Sequence, residues 1–186
     1  MLSVKTILTS TLILLATPVS AGALVQGGYF QNYSNYQDDD SDNFIRESMA
    51  HVVAAGQVAG WAAGACYHFE EMFYGGEQQK LEAYGPTIGY MSESLGTFAL
   101  GTYLINPRLT YSDSSDKSYG GSGYIAEVGK IWKVYGQLSA GVELVRTQII
   151  FKKEESTSSN TGDVTTTEKT SKSIVTKPMV SAVYAF

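Results

Sequence analysis

Residues 137–144 read QLSAGVEL, and apolar and polar or small side chains alternate along them. One face carries Leu138, Ala140, Val142 and Leu144. The other face carries Gln137, Ser139, Gly141 and Glu143. Because successive side chains of a β-strand point to opposite sides, this period of two predicts a strand. Its apolar face suits hydrocarbon, and its other face suits a polar interior.

The stretch before it alternates in the same way but less purely. One face would carry Tyr124, Ala126 and Val128, and the opposite face would carry Ile125, Glu127 and Gly129. A tight connection is predicted at Trp132-Lys133, because tryptophan favours the boundary between lipid and water. Residues 122–151 therefore predict two adjacent antiparallel strands.

The same search along the chain predicts eight strands. They cover residues 23–33, 46–56, 60–70, 81–91, 97–110, 122–131, 134–151 and 173–186, and the strand at 46–56 alternates least cleanly. Short turns are expected near 57–60, 92–96 and 132–133, with longer polar connections at 35–43, 74–79, 112–122 and 152–172. An even number of strands places both termini on one side, the periplasmic side of an outer-membrane barrel.

The last predicted strand has the most specific pattern. Val180, Ala182, Tyr184 and Phe186 share one face, so an aromatic residue stands third from the end and a phenylalanine is last. This ending resembles the assembly signal of outer-membrane barrels. The resemblance implies that Tyr184 and Phe186 are recognised by the barrel assembly machinery.

Residues 22–186 as a whole resemble the eight-stranded outer-membrane barrels, the group that contains the OmpA transmembrane domain, OmpX and the neisserial opacity proteins. The resemblance rests on the architecture and on the terminal strand. It implies an all-β protein, an eight-stranded antiparallel up-and-down transmembrane β-barrel in the outer membrane of a Gram-negative bacterium. Outer-membrane lipid and lipopolysaccharide would be its surroundings.

The first 21 residues predict a cleaved signal peptide. Lys5 supplies a positive charge, an apolar run follows over 6–16, and Val19-Ser20-Ala21 offers small residues for cleavage after Ala21. The apolar run is too short to span a bilayer as a helix. The expected mature chain, 22–186, would hold 12 Lys and Arg against 18 Asp and Glu, so we expect no binding to nucleic acid.

A polar network is predicted inside the barrel. Glu127, Gln137 and Glu143 should point inward from neighbouring strands, and Lys177 should join them from the last strand. An eight-stranded barrel is just wide enough for side chains to fill it, and buried carboxylates need partners. A structural network is therefore favoured over an ion gate.

Other candidate sites are weaker, and no catalytic, cofactor or metal site is expected. His51 and His68 lie near Ser48 and Glu70 in the sequence, but nothing there defines a Ser/His/acid site, so they are interpreted as polar wall residues. The acidic run at 38–42 lacks the spacing of a calcium loop and is interpreted as a solvated loop. The single cysteine, Cys66, is expected to pack as a small apolar residue.

Three functions remain open at this point. The favoured one is a non-enzymatic outer-membrane barrel whose surface-exposed loops serve envelope integrity or adhesion, with 152–172 as the best segment for contact with a surface ligand. The second is a narrow pore for small solutes. The third is a secreted, lipocalin-like barrel that binds a ligand, which would turn its apolar face inward instead of outward.

Overall fold

The fold was described from a computed structural model, which covers residues 22–38, 41–74, 77–92, 94–112, 117–157 and 164–186. The predicted signal peptide, 1–21, lies outside these residues, as do Asp39 and Asp40 of the acidic run. Within the described ranges, no helix is long and apolar enough to cross a membrane.

Eight antiparallel strands form one closed barrel in chain order. They are β1 (Gly22–Asp38), β2 (Ser41–Val58), β3 (Trp61–Tyr74), β4 (Glu77–Ser92), β5 (Thr97–Tyr111), β6 (Lys117–Tyr135), β7 (Leu138–Thr157) and β8 (Val164–Ala185). Each strand pairs with its neighbour in sequence, and β1 closes the barrel on β8 from Leu24↔Ala185 to Tyr29↔Val180. The eight-stranded up-and-down prediction is confirmed, including the doubtful strand at 46–56.

Three connections at one end of the barrel are short, and we call this end the turn end. The β2–β3 turn is Ala59-Gly60, and both residues have positive φ, 49° and 86°, which is the geometry that suits a two-residue hairpin. The β6–β7 turn is Gly136-Gln137, with Gly136 at φ 56°. The prediction of a turn at Trp132-Lys133 is wrong, because β6 stays paired to β7 as far as Tyr135.

At the opposite, distal end the strands run much further than the sequence suggested. The prediction of a long loop over 152–172 is wrong, because β7 reaches Thr157 and β8 already begins at Val164. These parts of the strands were not predicted from the sequence because their residues are polar. Threonine nevertheless favours β-structure, and the oppositely charged Lys153 and Glu168 are cross-strand neighbours. A membrane-crossing strand needs only about 9–11 residues, so strands of 14 to 22 residues extend well beyond one bilayer.

The interior is filled in layers. An apolar cluster closes the turn end and includes Leu24, Val53, Cys66, Met91, Phe98, Leu100 and Val183. A belt of buried polar side chains follows, comprising Gln26, His51, His68, Thr87, Thr102, Glu127, Glu143 and Ser181. A second apolar cluster lies on the distal side and includes Met49, Leu104, Ile125, Val145, Ile149, Phe151 and Met179. The polar groups are therefore held between two apolar layers.

The exterior carries a band of exposed apolar side chains. Mid-band residues include Val52, Ile88, Val128, Val142, Leu144 and Val180. Aromatic residues border the band near the turn end, among them Trp61, Tyr90, Trp132, Tyr135 and Tyr184, and a second set on the distal side includes Tyr29, Tyr67, Tyr84, Tyr103 and Tyr124. On β6, the eight residue steps from Tyr124 to Trp132 span about 26 Å along the strand, or about 20 Å along the barrel axis once strand tilt is included.

Beyond the distal aromatic set, the outer wall becomes charged. Partly exposed ion pairs join Arg46 to Glu71 at 3.7 Å, Lys80 to Glu82 at 2.9 Å and Arg108 to Glu155 at 3.5 Å. Ion pairs in contact with solvent contribute little to stability. Their location matters more, because it marks where the outer wall changes from apolar to hydrated.

Close strand packing gives a first prediction about stability. A Cβ added at Gly64 would collide with the backbone carbonyl oxygen of Ala54 and lie 2.6 Å from the Ala55 Cα. Backbone cannot move aside as a flexible side chain can, so Gly64→Ala should lower the free energy of unfolding by about 1–3 kcal/mol. Urea unfolding of the refolded protein in detergent micelles would measure this change.

Gly101→Ala is the matched control, since a Cβ there would meet only the Ile88 carbonyl oxygen at 3.8 Å, an ordinary contact. Equal unfolding midpoints for the two variants would contradict the packing described for β2 and β3.

Candidate functional site

Four buried polar side chains from four strands meet inside the barrel. Gln26 comes from β1, His51 from β2, Glu127 from β6 and Glu143 from β7. None is more than 4% exposed. The strand period of two places these positions on the inner face, and the register of the strand pairings brings all four to the same level of the barrel.

His51 stands between the two carboxylates. Its Nε2 lies 3.1 Å from Glu143 Oε1 and 3.6 Å from Glu127 Oε2. Gln26 Nε2 donates a hydrogen bond to the other oxygen of Glu143, Oε2, at 2.7 Å. Three titratable groups are therefore held within one small, dry volume. We call His51, Glu127 and Glu143 the inner triad.

Gly28 makes room for the inner triad. A Cβ at this position would collide with Glu143 Oε1 and lie 2.6 Å from His51 Cε1 and 2.7 Å from His51 Nε2. Any residue larger than glycine would therefore displace the imidazole, the carboxylate or both.

His68 is the neighbour of His51 across the β2–β3 ladder. Its Nε2 lies 3.9 Å from Glu70 Oε2, beyond hydrogen-bonding distance. Ser48 stands three positions from His51 on β2 and so falls on the opposite face of the strand. The structure thus places Ser48 on the opposite side of the barrel wall from both histidines.

A second charged cluster lies nearer the distal end. Lys177 Nζ donates to Glu47 Oε1 and, at 2.8 Å, to Glu70 Oε1. The ammonium also lies 5.4 Å from the centre of the Phe30 ring. Lys177 and Glu70 are mostly buried, so this cation neutralises part of the charge of two carboxylates in a poorly hydrated place.

A cavity of about 470 Å³ opens from this cluster toward the distal end. Its polar lining includes Glu47, Glu70, Gln79, Ser171 and Ser173, and its apolar lining includes Met72, Leu81, Leu109, Phe151 and Val175. Tyr111 and Tyr119 complete the wall, with their rings packed edge to face at 5.6 Å. A cup with an apolar wall and an acidic floor is suited to a small molecule with an apolar body and a polar end.

The residues predicted for the interior network divide into three groups. Glu127 and Glu143 come together in the inner triad, and Lys177 belongs to the separate cluster with Glu47 and Glu70. The prediction that Gln137 points inward is wrong. It lies exposed in the β6–β7 turn, where its backbone oxygen accepts a hydrogen bond from Ala185 at 3.1 Å.

Sequence reasoning missed His51 and Gln26 as partners of the glutamates. Apolar residues on both faces of 49–55 concealed which side of β2 faces inward. One signal was present: an ionisable residue among apolar neighbours in a predicted strand needs a partner if it is buried, so its partner can be searched for.

The remaining residues named in the sequence analysis are Cys66, Tyr184 and Phe186. Cys66 is buried in the apolar cluster at the turn end. Tyr184 and Phe186 are exposed at the turn end, with ring centres 4.9 Å apart, and the Phe186 amide donates to the Ala23 carbonyl oxygen. Their role in assembly stays a prediction.

No family model matches this chain, and no curated protein matches it in sequence. Solved structures with a similar fold include the outer membrane protein AlkL in lipid bilayers, 10% identical over 89% of this chain and 90% of that chain, with a TM-score of 0.46. The translocator domain of the autotransporter NalP from Neisseria meningitidis is 12% identical over 96% and 67%, with a TM-score of 0.37.

OmpT, an outer membrane protein of Vibrio cholerae in its trimer form, is 12% identical over 91% of this chain and 54% of that chain, with a TM-score of 0.33. These likenesses are too remote to assign a family. The fold assignment therefore rests on the chain's own strand pairing, which is that of a closed eight-stranded antiparallel up-and-down β-barrel.

The Lys177 cluster gives a second prediction. Lys177→Met should lower the free energy of unfolding by about 3 kcal/mol, because two buried carboxylates lose their cation. Urea unfolding in detergent would measure the loss. Adding Glu47→Gln and Glu70→Gln to the same protein should restore most of it. A triple variant as unstable as Lys177→Met would show that the charge balance is not what stabilises the cluster.

Proposed function

We propose that this chain is a non-enzymatic outer-membrane β-barrel, closed to bulk solute flow, that presents its distal half to the outside as a binding surface. One observation carries the proposal: the barrel is apolar outside and filled inside. A soluble ligand-binding barrel would have the reverse arrangement, with a hydrated exterior and an apolar pocket. The exposed band between the two aromatic sets is what a bilayer would cover.

The dimensions support the same assignment. The two aromatic sets lie about 20 Å apart along the barrel axis, near the ~25 Å apolar band of barrels in this membrane. Several tyrosine hydroxyls on the distal side bond to polar groups: Tyr124 donates to Gln148 at 3.1 Å, and Tyr29 donates to Gln31 at 2.9 Å. An aromatic ring in lipid with its hydroxyl in polar surroundings is typical of an interface.

The filled interior supports a closed barrel. The apolar cluster around Phe98 and Leu100 seals the turn end, and the belt of buried polar side chains lies directly above it. Water or ions would have to displace both layers to pass. The second candidate, a narrow pore, is favoured only by the polar belt and the cavity above it, which together lead part of the way along the axis.

Binding is best placed at the distal end. There the long strands carry a hydrated, charged exterior, and the cavity opens with an acidic floor and an apolar wall. A rigid sheet that projects from the membrane holds such a cup in a fixed shape. We infer that the surface ligand contacts the strand extensions of β7 and β8 and the cup, rather than a long flexible loop.

The membrane assignment gives a third prediction. Val142 is 53% exposed in the middle of the band, so Val142→Arg should destabilise the barrel in lipid vesicles by about 2–4 kcal/mol. The exposed Thr170 of the β8 extension allows a control, Thr170→Arg, which should leave stability unchanged. Refolding into vesicles, followed by the heat-dependent gel shift of folded barrels, would measure both. Equal folded yields for the two variants would contradict the proposed band.

The closed barrel gives a fourth prediction. Purified protein in planar bilayers should show no stable, porin-sized conductance steps, because side chains fill the cross-section at two levels. Reproducible steps would favour the pore. The informative comparison is with the double variant Phe98→Ala/Leu100→Ala, in which the apolar cluster at the turn end is smaller. A pore gated at that level would conduct in this variant, whereas a barrel that the belt and the second apolar cluster also fill would show no conductance.

A further inference from the structure

We propose that His51, Glu127 and Glu143 form a binding site for a first-row transition-metal ion, such as zinc, inside the barrel. One ligand atom from each of the three side chains lies within 4.8 Å of the others, and all three residues are buried. Carboxylate oxygens and an imidazole nitrogen are the ligands that zinc and its first-row neighbours accept in proteins. Calcium and magnesium prefer oxygen ligands alone, so they fit this set less well.

The spacing of the ligand atoms fits one ion. Two ligands bound tetrahedrally to zinc at ~2.0–2.1 Å stand about 3.3 Å from each other. The distances from His51 Nε2 to the nearest oxygens of Glu143 and Glu127 are 3.1 and 3.6 Å, on either side of that value. The ligand oxygens of Glu127 and Glu143 lie within 4.8 Å of each other, so the two carboxylates would move closer together to give all three ligands a common centre.

Hydrogen bonding leaves the inner triad unsatisfied. In the part of the chain that the structure describes, neither oxygen of Glu127 has a hydrogen-bond partner, and Glu143 Oε1 and His51 Nε2 have none either. His51 Nε2 is close to Glu143 Oε1, but the direction of its N–H does not complete a hydrogen bond. Two buried carboxylates without a cation are strongly unfavourable.

A protonated His51 is the competing explanation, and it accounts for less. It would bring one positive charge to two carboxylates, and its N–H cannot point at both. A divalent ion would neutralise both charges and would bind the imidazole through the same nitrogen. The buried Lys177 does not supply the missing charge to the inner triad, because its ammonium already bonds to Glu47 and Glu70.

The surroundings are built for these ligands. Gln26 holds the second oxygen of Glu143, which leaves Oε1 directed at His51. A hydrogen bond of this kind commonly orients a metal ligand. The lack of a side chain at Gly28 lets Glu143 Oε1 and His51 Nε2 approach each other against the β1 backbone. An ion here would link β2 to β6 and β7, neither of which is a neighbour of β2 in the barrel.

The test uses full-length mature protein without a histidine tag. The protein is unfolded, stripped with EDTA and refolded in detergent with Zn²⁺ or Co²⁺, because a fully buried site would load as the barrel forms. We expect about one ion per chain after desalting, a visible Co²⁺ spectrum of a four-coordinate nitrogen and oxygen site, and a higher urea midpoint with metal than without it.

Variants distinguish metal binding at the inner triad from metal binding elsewhere on the protein. Glu127→Gln keeps the shape of the side chain and should weaken metal binding at least tenfold, and Glu143→Gln serves the same purpose if the first variant fails to fold. His68→Gln and Cys66→Ala should bind the ion as the wild type does. Wild-type protein that retains no ion, or Glu127→Gln that retains as much as wild type, would overturn the proposal. Because the experiment is done in detergent, its failure would leave the membrane assignment untouched.

Discussion

Closure of the sheet is the constraint on which the rest of this structure depends. The ladder between β1 and β8 removes the two free edges that an eight-stranded sheet would otherwise expose. In hydrocarbon, an unpaired backbone N–H or C=O is costly, so only a closed barrel allows the apolar outer band to be covered by lipid. Closure with eight strands also sets a narrow cross-section, which side chains can fill.

That narrow interior decides the chemistry of the protein. Two apolar layers exclude water from the belt between them, so every polar group in the belt must find a partner there. Outside the belt, Lys177 bonds to Glu47 and Glu70. The inner triad within the belt lacks such partners, and its three ligand atoms lie within 4.8 Å of one another, close enough for one bound cation to draw them together. The same dry surroundings that make the triad unfavourable alone would make a bound ion hard to lose.

The shape of the distal half of the barrel follows from the length of the strands. Because β7 and β8 continue far past the apolar band, the barrel wall itself, rather than a set of loops, forms the surface that would face the outside. A paired wall is stiffer than a loop and holds the cup beside Phe151 and Tyr119 in one shape. Binding function would then depend on fixed side chains on strands.

Local sequence determined much of this fold. Alternation along 138–144 identified the outward-facing and inward-facing residues of β7, and the same period found eight strands, including β2. It misjudged where strands end, since polar threonine-rich stretches pair as well as apolar ones, and it placed Gln137 inside a strand that begins one residue later. Only the tertiary structure joined His51 to Glu127 and Glu143. Periodicity decides which side of one strand a residue faces, whereas contact across the barrel depends on the register of all eight pairings together.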